Sequence, residues 1–307
     1  MSITSAGFIG FTALVTMAYF LIPRKIRQYQ WVLLLAASLC FYACAGLTGV
    51  IFILLTAISI YTAAICIEKI SDKQNTYLKE HKVELSKEER EEYKKKNTRK
   101  KRLLLALALV FNFGMLCVFK YSHFALESFN SLLSLFGGRT IENGFSLVMP
   151  IGISFYTFQS TGYLADVYWR KTPAQKNFGK MLLFISFFPQ IIQGPISSYG
   201  QLSKQLFVAH NFSYDRLGRG TRRMIWGYFK KMVIADMLAP MVQSVFSNYN
   251  EYFGTAAFVG IVFYCIQIYA DFSGYMDIVC GLCNIWGIEL RENFDRPYFS
   301  KRSEEHV

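Results

Sequence analysis

The sequence predicts an all-α fold: a polytopic integral membrane helical bundle that includes interfacial and re-entrant or broken helices. Three observations carry this prediction. Of the 307 residues, 53% are hydrophobic and only 18% are charged, whereas soluble domains carry about a quarter charged residues. The apolar residues, rich in Phe and Tyr, fall in long blocks near bilayer-spanning length. Several blocks also hold Pro, Gly, Gln or Asp, which at membrane depth must face protein or a water-filled passage.

Residues 6–22 form the first block and end at Pro23-Arg24-Lys25 and Arg27. With no basic region before it and no small-residue cleavage site after it, this block reads as a membrane segment rather than a cleaved signal. The second block runs over 31–45, Gly46 and Gly49 mark a turn, and the third covers 50–67. At about 1.5 Å per residue each approaches the hydrocarbon thickness, the second only with its flanks. Residues 68–102 then hold 13 Lys or Arg and 8 Asp or Glu. Their mixed spacing of three and four predicts a solvated, partly helical hairpin. The positive-inside rule places this charged loop, and the short loop at Arg24, Lys25 and Arg27, in the cytoplasm. Two blocks separate the loops, so the assignments agree and leave the N-terminus outside.

Residues 103–119 make a fourth crossing, and 121–145 are expected as an outer loop or an interfacial amphipathic helix. The block 148–168 carries Pro150, Gly152, Gln159, Gly162 and Asp166 and is expected to face protein or a channel. Over 181–195, two prolines, a glycine and two glutamines in the closing residues predict a broken or re-entrant segment. Residues 219–231 read as a basic interfacial helix leading into an apolar stretch to about 246, as one crossing or a re-entrant dip. The last block, 253–288, exceeds one straight span and is expected to be interrupted at Asp271-Phe272-Ser273-Gly274-Tyr275-Met276-Asp277.

The formal net charge of +12 does not point to nucleic acid, because much of it is concentrated between apolar blocks. There it acts as a topology signal toward anionic lipid. The seven cysteines are scattered through apolar runs, so no disulfide framework is expected. Cys280 and Cys283 spell C-x-x-C without a second pair or a nearby histidine, and are read as small buried side chains rather than a metal or redox site.

Candidate site residues are the polar groups inside apolar surroundings. Asp271 and Asp277 are six apart and do not share a helix face, so they do not imply an acid–base pair. Asp271 is read mainly as a helix cap or an ordering group in a tunnel wall. Gln190 and Gln193 suit a cavity lining or interhelical packing equally, and Tyr156, Gln159 and Tyr163 suit a polar helical seam. His81, His123, His210 and His306 all lie outside membrane-embedded settings in which an imidazole would be an obvious general base. No metal-ligand motif, nucleophile elbow or phosphate loop is present. The residues alone leave an enzyme and a transporter open, since transporters also use interrupted helices.

Four strings narrow this choice. They are 149–159 (Met-Pro-Ile-Gly-Ile-Ser-Phe-Tyr-Thr-Phe-Gln), 187–196 (Phe-Phe-Pro-Gln-Ile-Ile-Gln-Gly-Pro-Ile), 271–277 and 292–298 (Glu-Asn-Phe-Asp-Arg-Pro-Tyr). In this order and spacing they resemble the membrane-bound O-acyltransferases, most closely the branch that acylates bacterial polysaccharides such as alginate and teichoic acid. The resemblance implies helices around a central tunnel. An acyl group, acetyl in preference to D-alanyl, arrives on a cytoplasmic acyl carrier or acyl-CoA and passes to a hydroxyl of an extracytoplasmic polysaccharide. It also implies an extracytoplasmic acyltransferase partner, no bound cofactor or metal, and a multi-pass place in the bacterial plasma membrane. Carried onto the matched strings, the tunnel or acceptor-path candidates are Tyr156, Gln159, Gln190, Gln193, Asp271, Ser273, Tyr275, Asn293 and Arg296.

The likeness departs at the end of the chain. Where the family continues into an aromatic- and arginine-rich segment with a histidine, and then to its more strongly implicated histidine, this chain reads 299–307 and stops. His306 falls early, in a charged tail, and no catalytic role is carried to it. The expectation is an incomplete membrane-bound O-acyltransferase-like domain over 1–307, inactive by itself. A transporter or channel and a non-catalytic membrane scaffold are the alternative readings.

Overall fold

The computed structural model describes residues 3–82, 86–135, 149–191, 194–292 and 298. All regular structure among them is helical. Among the described residues, four stretches are long and apolar enough to cross a bilayer: Arg24–Ala45, Leu47–Glu80, Lys87–Leu132 and Thr255–Trp286. This is a multi-pass helical membrane protein. The chain divides into two compact units, residues 1–38 with 187–307, and residues 39–186.

In the first unit, α1 (Ala6–Leu21) starts at Ser5, whose hydroxyl accepts the Phe8 N–H at 3.2 Å. Its 16 residues rise about 24 Å, somewhat less than the hydrocarbon core. Pro23, which fixes φ and lacks an N–H, leads into a 3₁₀ turn, Arg24–Tyr29, and then α2 (Gln30–Ala45). The unit boundary falls within α2. The later part of the unit holds α7 (Tyr199–Leu206), α8 (Tyr214–Tyr228), a π-helical segment Phe229–Ala235, α9 (Asp236–Ser247) and α10 (Thr255–Trp286). The core is aromatic. Trp286, fully buried, lies 5.9 Å from the Phe188 ring and donates its indole N–H to Thr16 Oγ1 at 3.0 Å. Phe8 and Phe11 meet Phe188 edge-on.

The second unit is built from α3 (Leu47–Glu80), α4 (Lys87–Leu135), α5 (Ile153–Tyr168) and α6 (Phe178–Ser186). Buried Asn112 on α4 donates to Ser59 on α3 at 2.9 Å and to the Ala108 carbonyl, a polar link between helices where water is scarce. The connection from α5 to α6 is tied to α3. Tyr61 donates to the Lys176 carbonyl, the Glu68 carboxylate accepts the Ala174 N–H, and Arg170 donates to the Ser71 carbonyl.

Residues 68–102 are largely two helical extensions. Helix α3 runs on to Glu80, and α4 starts with a capping box. Ser86 N–H donates to Glu89 Oε2 at 2.9 Å, and Glu89 N–H donates to Ser86 Oγ at 3.2 Å. Tyr77 stacks on His81 and also meets Tyr93.

Several local expectations are corrected. Helix α4 continues without a break to Leu135, so 121–135 is not an outer loop; residues 136–148 lie outside the described residues. Helix α10 is not interrupted at Asp271–Asp277 but is continuous over 32 residues. Asp271 therefore caps nothing. Cations from α8 and the π segment answer its charge and that of Asp277, so the backbone has no reason to open. The irregularity falls instead at Phe229–Ala235, within an otherwise continuous helical run from 214 to 247. The segment after α6 does break, as expected: the helix ends at Ser186 and a turn follows at 188–191.

Candidate functional site

Helices α8 and α10 meet through glycines spaced seven apart on each. A Cβ on Gly220 would lie 2.6 Å from the Gly281 carbonyl oxygen, and one on Gly227 would lie 2.6 Å from that of Gly274. The pairs run in opposite chain directions, so the helices are antiparallel and touch backbone to backbone. Close approach of this kind is what small residues permit in membrane interfaces.

Along the same interface runs a lattice of charges. Arg223 Nε donates to Asp277 Oδ1 at 2.9 Å, and its Nη1 and Nη2 grip Glu292 at 2.6 and 2.7 Å. Lys230 pairs with the other oxygen of Asp277, and Lys231 pairs with Asp271. A regular helix would turn Lys230 and Lys231 about 100° apart; here both fall in the π segment and reach carboxylates of α10. Burial opposes the Arg223 charge, but the bonds to Glu292 and Asp277 outweigh it and hold its pKa above the ordinary arginine value. Such mutual neutralisation permits charges beside apolar helices.

Ser273 and Tyr275 lie on the same helix, both buried, and Ser273 Oγ has no hydrogen-bond partner among the described residues. Gln190 sits in the turn after Phe188 and donates Nε2 to the Pro195 carbonyl at 3.0 Å and to Ser197 Oγ at 2.7 Å. The glutamine thus closes the broken segment on itself. Gln193, Asn293 and Arg296 lie outside the described residues.

In the second unit, α5 presents a buried polar seam. Gln159 Nε2 donates to the Phe184 carbonyl at 3.1 Å, which ties α5 to α6. Ser160 and Thr161 bond back to the carbonyls of their own helix. The hydroxyls of Tyr156, Thr157 and Tyr42 are buried without a partner among the described residues, although buried polar groups as a rule find one. Tyr163 accepts the Gln175 N–H at 2.8 Å and is thereby structural.

Sequence reasoning located Asp271 and Asp277 but missed their partners, Arg223, Lys230 and Lys231, and missed Glu292 as the second carboxylate on Arg223. A signal was present: the seven-residue spacing of Gly220 and Gly227 matches that of Gly274 and Gly281. It gains meaning only once the helices are known to pack. Cys280 and Cys283 are buried along α10. Among the described residues, no three His, Cys, Asp or Glu side chains gather as a metal-ligand set.

No family model matches the chain. Curated relatives do. The probable alginate O-acetylase of Pseudomonas aeruginosa is 37% identical over 204 residues, covering 66% of this chain and 39% of that protein. Peptidoglycan O-acetyltransferase of Helicobacter pylori is 31% identical over 224 residues, covering 64% of this chain and 42% of that protein. Teichoic acid D-alanyltransferase of Bacillus subtilis is 26% identical over 161 residues, covering 51% and 40%. The chain spans about two fifths of the length of these relatives. Over about two thirds of its own length, the chain is homologous to acyltransferases of the membrane-bound O-acyltransferase type.

Proposed function

We propose that this chain supplies membrane-embedded structure for a polysaccharide O-acyltransferase of the bacterial plasma membrane. An acyl group, acetyl in this reading, passes from a cytoplasmic acyl carrier or acyl-CoA to a hydroxyl of an extracytoplasmic polysaccharide. The observation that carries the reading is the homology itself. Acetyl is favoured over D-alanyl because the O-acetylating relatives are 37% and 31% identical, against 26% for the D-alanyltransferase. Residues 1–307 act as part of one transmembrane domain, with 68–102 in the cytoplasm, and an extracytoplasmic acyltransferase partner completes delivery.

Tyr156, Gln159, Gln190, Gln193, Asp271, Ser273, Tyr275, Asn293 and Arg296 are proposed tunnel or acceptor-path residues. Tyr156 and Ser273 are put first among them, because each carries a buried hydroxyl without a hydrogen-bond partner among the described residues. The described histidines are occupied otherwise. His81 stacks on Tyr77, His123 pairs with Glu127 at the surface, and His210 Nε2 is held by the Gln205 carbonyl at 2.7 Å. The activation of the acceptor hydroxyl is therefore proposed to rest on a group other than these three, and the 307 residues alone to be inactive.

The test uses an alginate-producing strain lacking its own O-acetylase. It receives either this chain or a chimaera in which the homologous 204 residues replace their counterpart in the alginate relative. Alkali-labile acetyl esters on the secreted polymer are expected with the chimaera and not with the chain alone. Folded, membrane-inserted chimaera without esters would overturn the acyl-transfer reading. Esters from the chain alone would overturn only the proposed inactivity.

A further inference from the structure

Where α1 ends and α2 begins, the first unit holds an open recess of about 720 Å³ lined by Arg24, Lys25, Arg27, Gln28, Asn211 and Phe212. Its walls are fastened to one another. Gln30, almost fully buried, accepts the His210 N–H at 2.8 Å and donates to the carbonyls of Tyr19 and His210. Arg27 Nη1 donates to Asn211 Oδ1, and Arg216 donates to the Asn211 carbonyl. Gly287, in the left-handed region at φ 86°, closes α10 in a Schellman motif and leaves room for this loop. A Cβ there would lie 2.6 Å from both His210 Nδ1 and Arg216 Nη1.

The charge is one-sided. Arg24, Lys25, Arg27 and Arg216 form no ion pair with a described carboxylate, and neighbouring Asp215 is taken by Arg219. Arg27 Nε and Arg216 Nε are buried without a hydrogen-bond partner among the described residues, so donor capacity remains. The rim is aromatic: Phe20 meets Phe212 at 5.2 Å, Phe212 meets Tyr214 at 4.9 Å, and Tyr29 is exposed. Aromatic and basic residues at the ends of apolar helices mark headgroup depth. Below the rim, α1 exposes Leu14, Met17 and Leu21 along an apolar flank.

We propose that this recess binds the phosphate headgroup of an anionic membrane phospholipid, with the acyl chains lying against α1. The guanidinium of Arg27 presents donors suited to phosphate oxygens, and Arg24 and Lys25 supply charge from the open side. The structure assigns the lipid rather than soluble phosphate because the apolar flank and the aromatic rim adjoin the charged pocket. A soluble ion would use only the latter.

Native mass spectrometry of the full chain in detergent, with phosphatidylglycerol or phosphatidylcholine of identical acyl chains, tests the assignment. Retention of phosphatidylglycerol over phosphatidylcholine is expected. Each cation removed should weaken it about fivefold, so R24Q/K25Q should lower it about 25-fold while leaving the Arg27–Asn211 bond intact. The triple R24Q/K25Q/R27Q should lower it further, with circular dichroism reporting on its fold. K94Q/K95Q/R99Q, which removes as much charge from the helical hairpin, should leave it unchanged. Equal retention of the two lipids, an equal loss in the hairpin variant, or no loss in R24Q/K25Q would overturn the proposal. Complete displacement of phosphatidylglycerol by millimolar inorganic phosphate would assign the recess to a soluble phosphate compound and overturn the lipid reading.

Discussion

Replacing Asp277 by Ala removes the carboxylate that Arg223 and Lys230 share. The side chains of Asp277, Lys230 and Arg223 are 16%, 11% and 32% exposed. Breaking a fully buried pair costs about 3–5 kcal/mol, because the surviving charge is left without compensation. Two features reduce that figure here. Arg223 keeps its two bonds to Glu292, although that carboxylate is largely exposed and such a pair contributes about 0–1 kcal/mol. The Lys230 stem can swing part of its charge toward water. The expected loss is therefore about 2–3 kcal/mol, read as a shift in reversible unfolding against rising sodium dodecyl sulfate mole fraction in mixed micelles. The double variant Asp277→Leu with Lys230→Met, which substitutes apolar groups of similar volume, should recover to within about 1 kcal/mol of the starting protein. A loss below about 0.5 kcal/mol in Asp277→Ala would show that the lattice is solvated. A double variant no better than Asp277→Ala would refute the coupling of these two side chains.

Gly227→Ala and Gly281→Ala should each destabilise by about 1–3 kcal/mol in the same assay, because the added methyl meets carbonyl oxygen or side-chain carbon at under 3.0 Å. Gly10→Ala and Gly114→Ala have nothing within 4 Å and should stabilise by about 0.5–1 kcal/mol; like behaviour at all four positions would sink the backbone-contact account. Glu89 lies in the solvated hairpin, where the Ser86 N–H and then its hydroxyl hold the carboxyl below its ordinary pKa. A depressed folded pKa gives stability that is complete above the unfolded value and lost as pH falls through the folded one. Amide protection at the start of α4, taken relative to the intrinsic exchange rate at each pH, should therefore fall only on acidification, and Glu89→Gln should flatten that dependence. Tyr156→Phe removes a hydroxyl with no described partner, so unfolding should be unchanged or slightly improved. Acetyl ester formation in the chimaera should fall; unchanged ester yield would remove Tyr156 from the acceptor path.

Hydropathy alone established the all-α membrane class, the apolar blocks and the charged hairpin, since each depends on residues close in the chain. Burial of Gln159 and breakage after Ser186 were also legible, because a polar amide or a proline at membrane depth has few physical outlets. What the sequence could not decide was how Asp271 and Asp277 are satisfied. Within one apolar run, a helix cap and an ion pair to a distant cation leave the same local pattern. The choice was made by Arg223, 54 residues from Asp277, and by glycines that let α8 approach α10 closely enough for the charges to meet. The π segment that directs Lys230 and Lys231 has no compositional mark. The basic recess likewise exists only because Gln30 and Gly287 bring residues near 210 against the 3₁₀ turn at 24–29. Local propensity sets which segments are helical and which enter lipid; partner choice between remote polar groups is a property of packing, and only the tertiary structure supplies it.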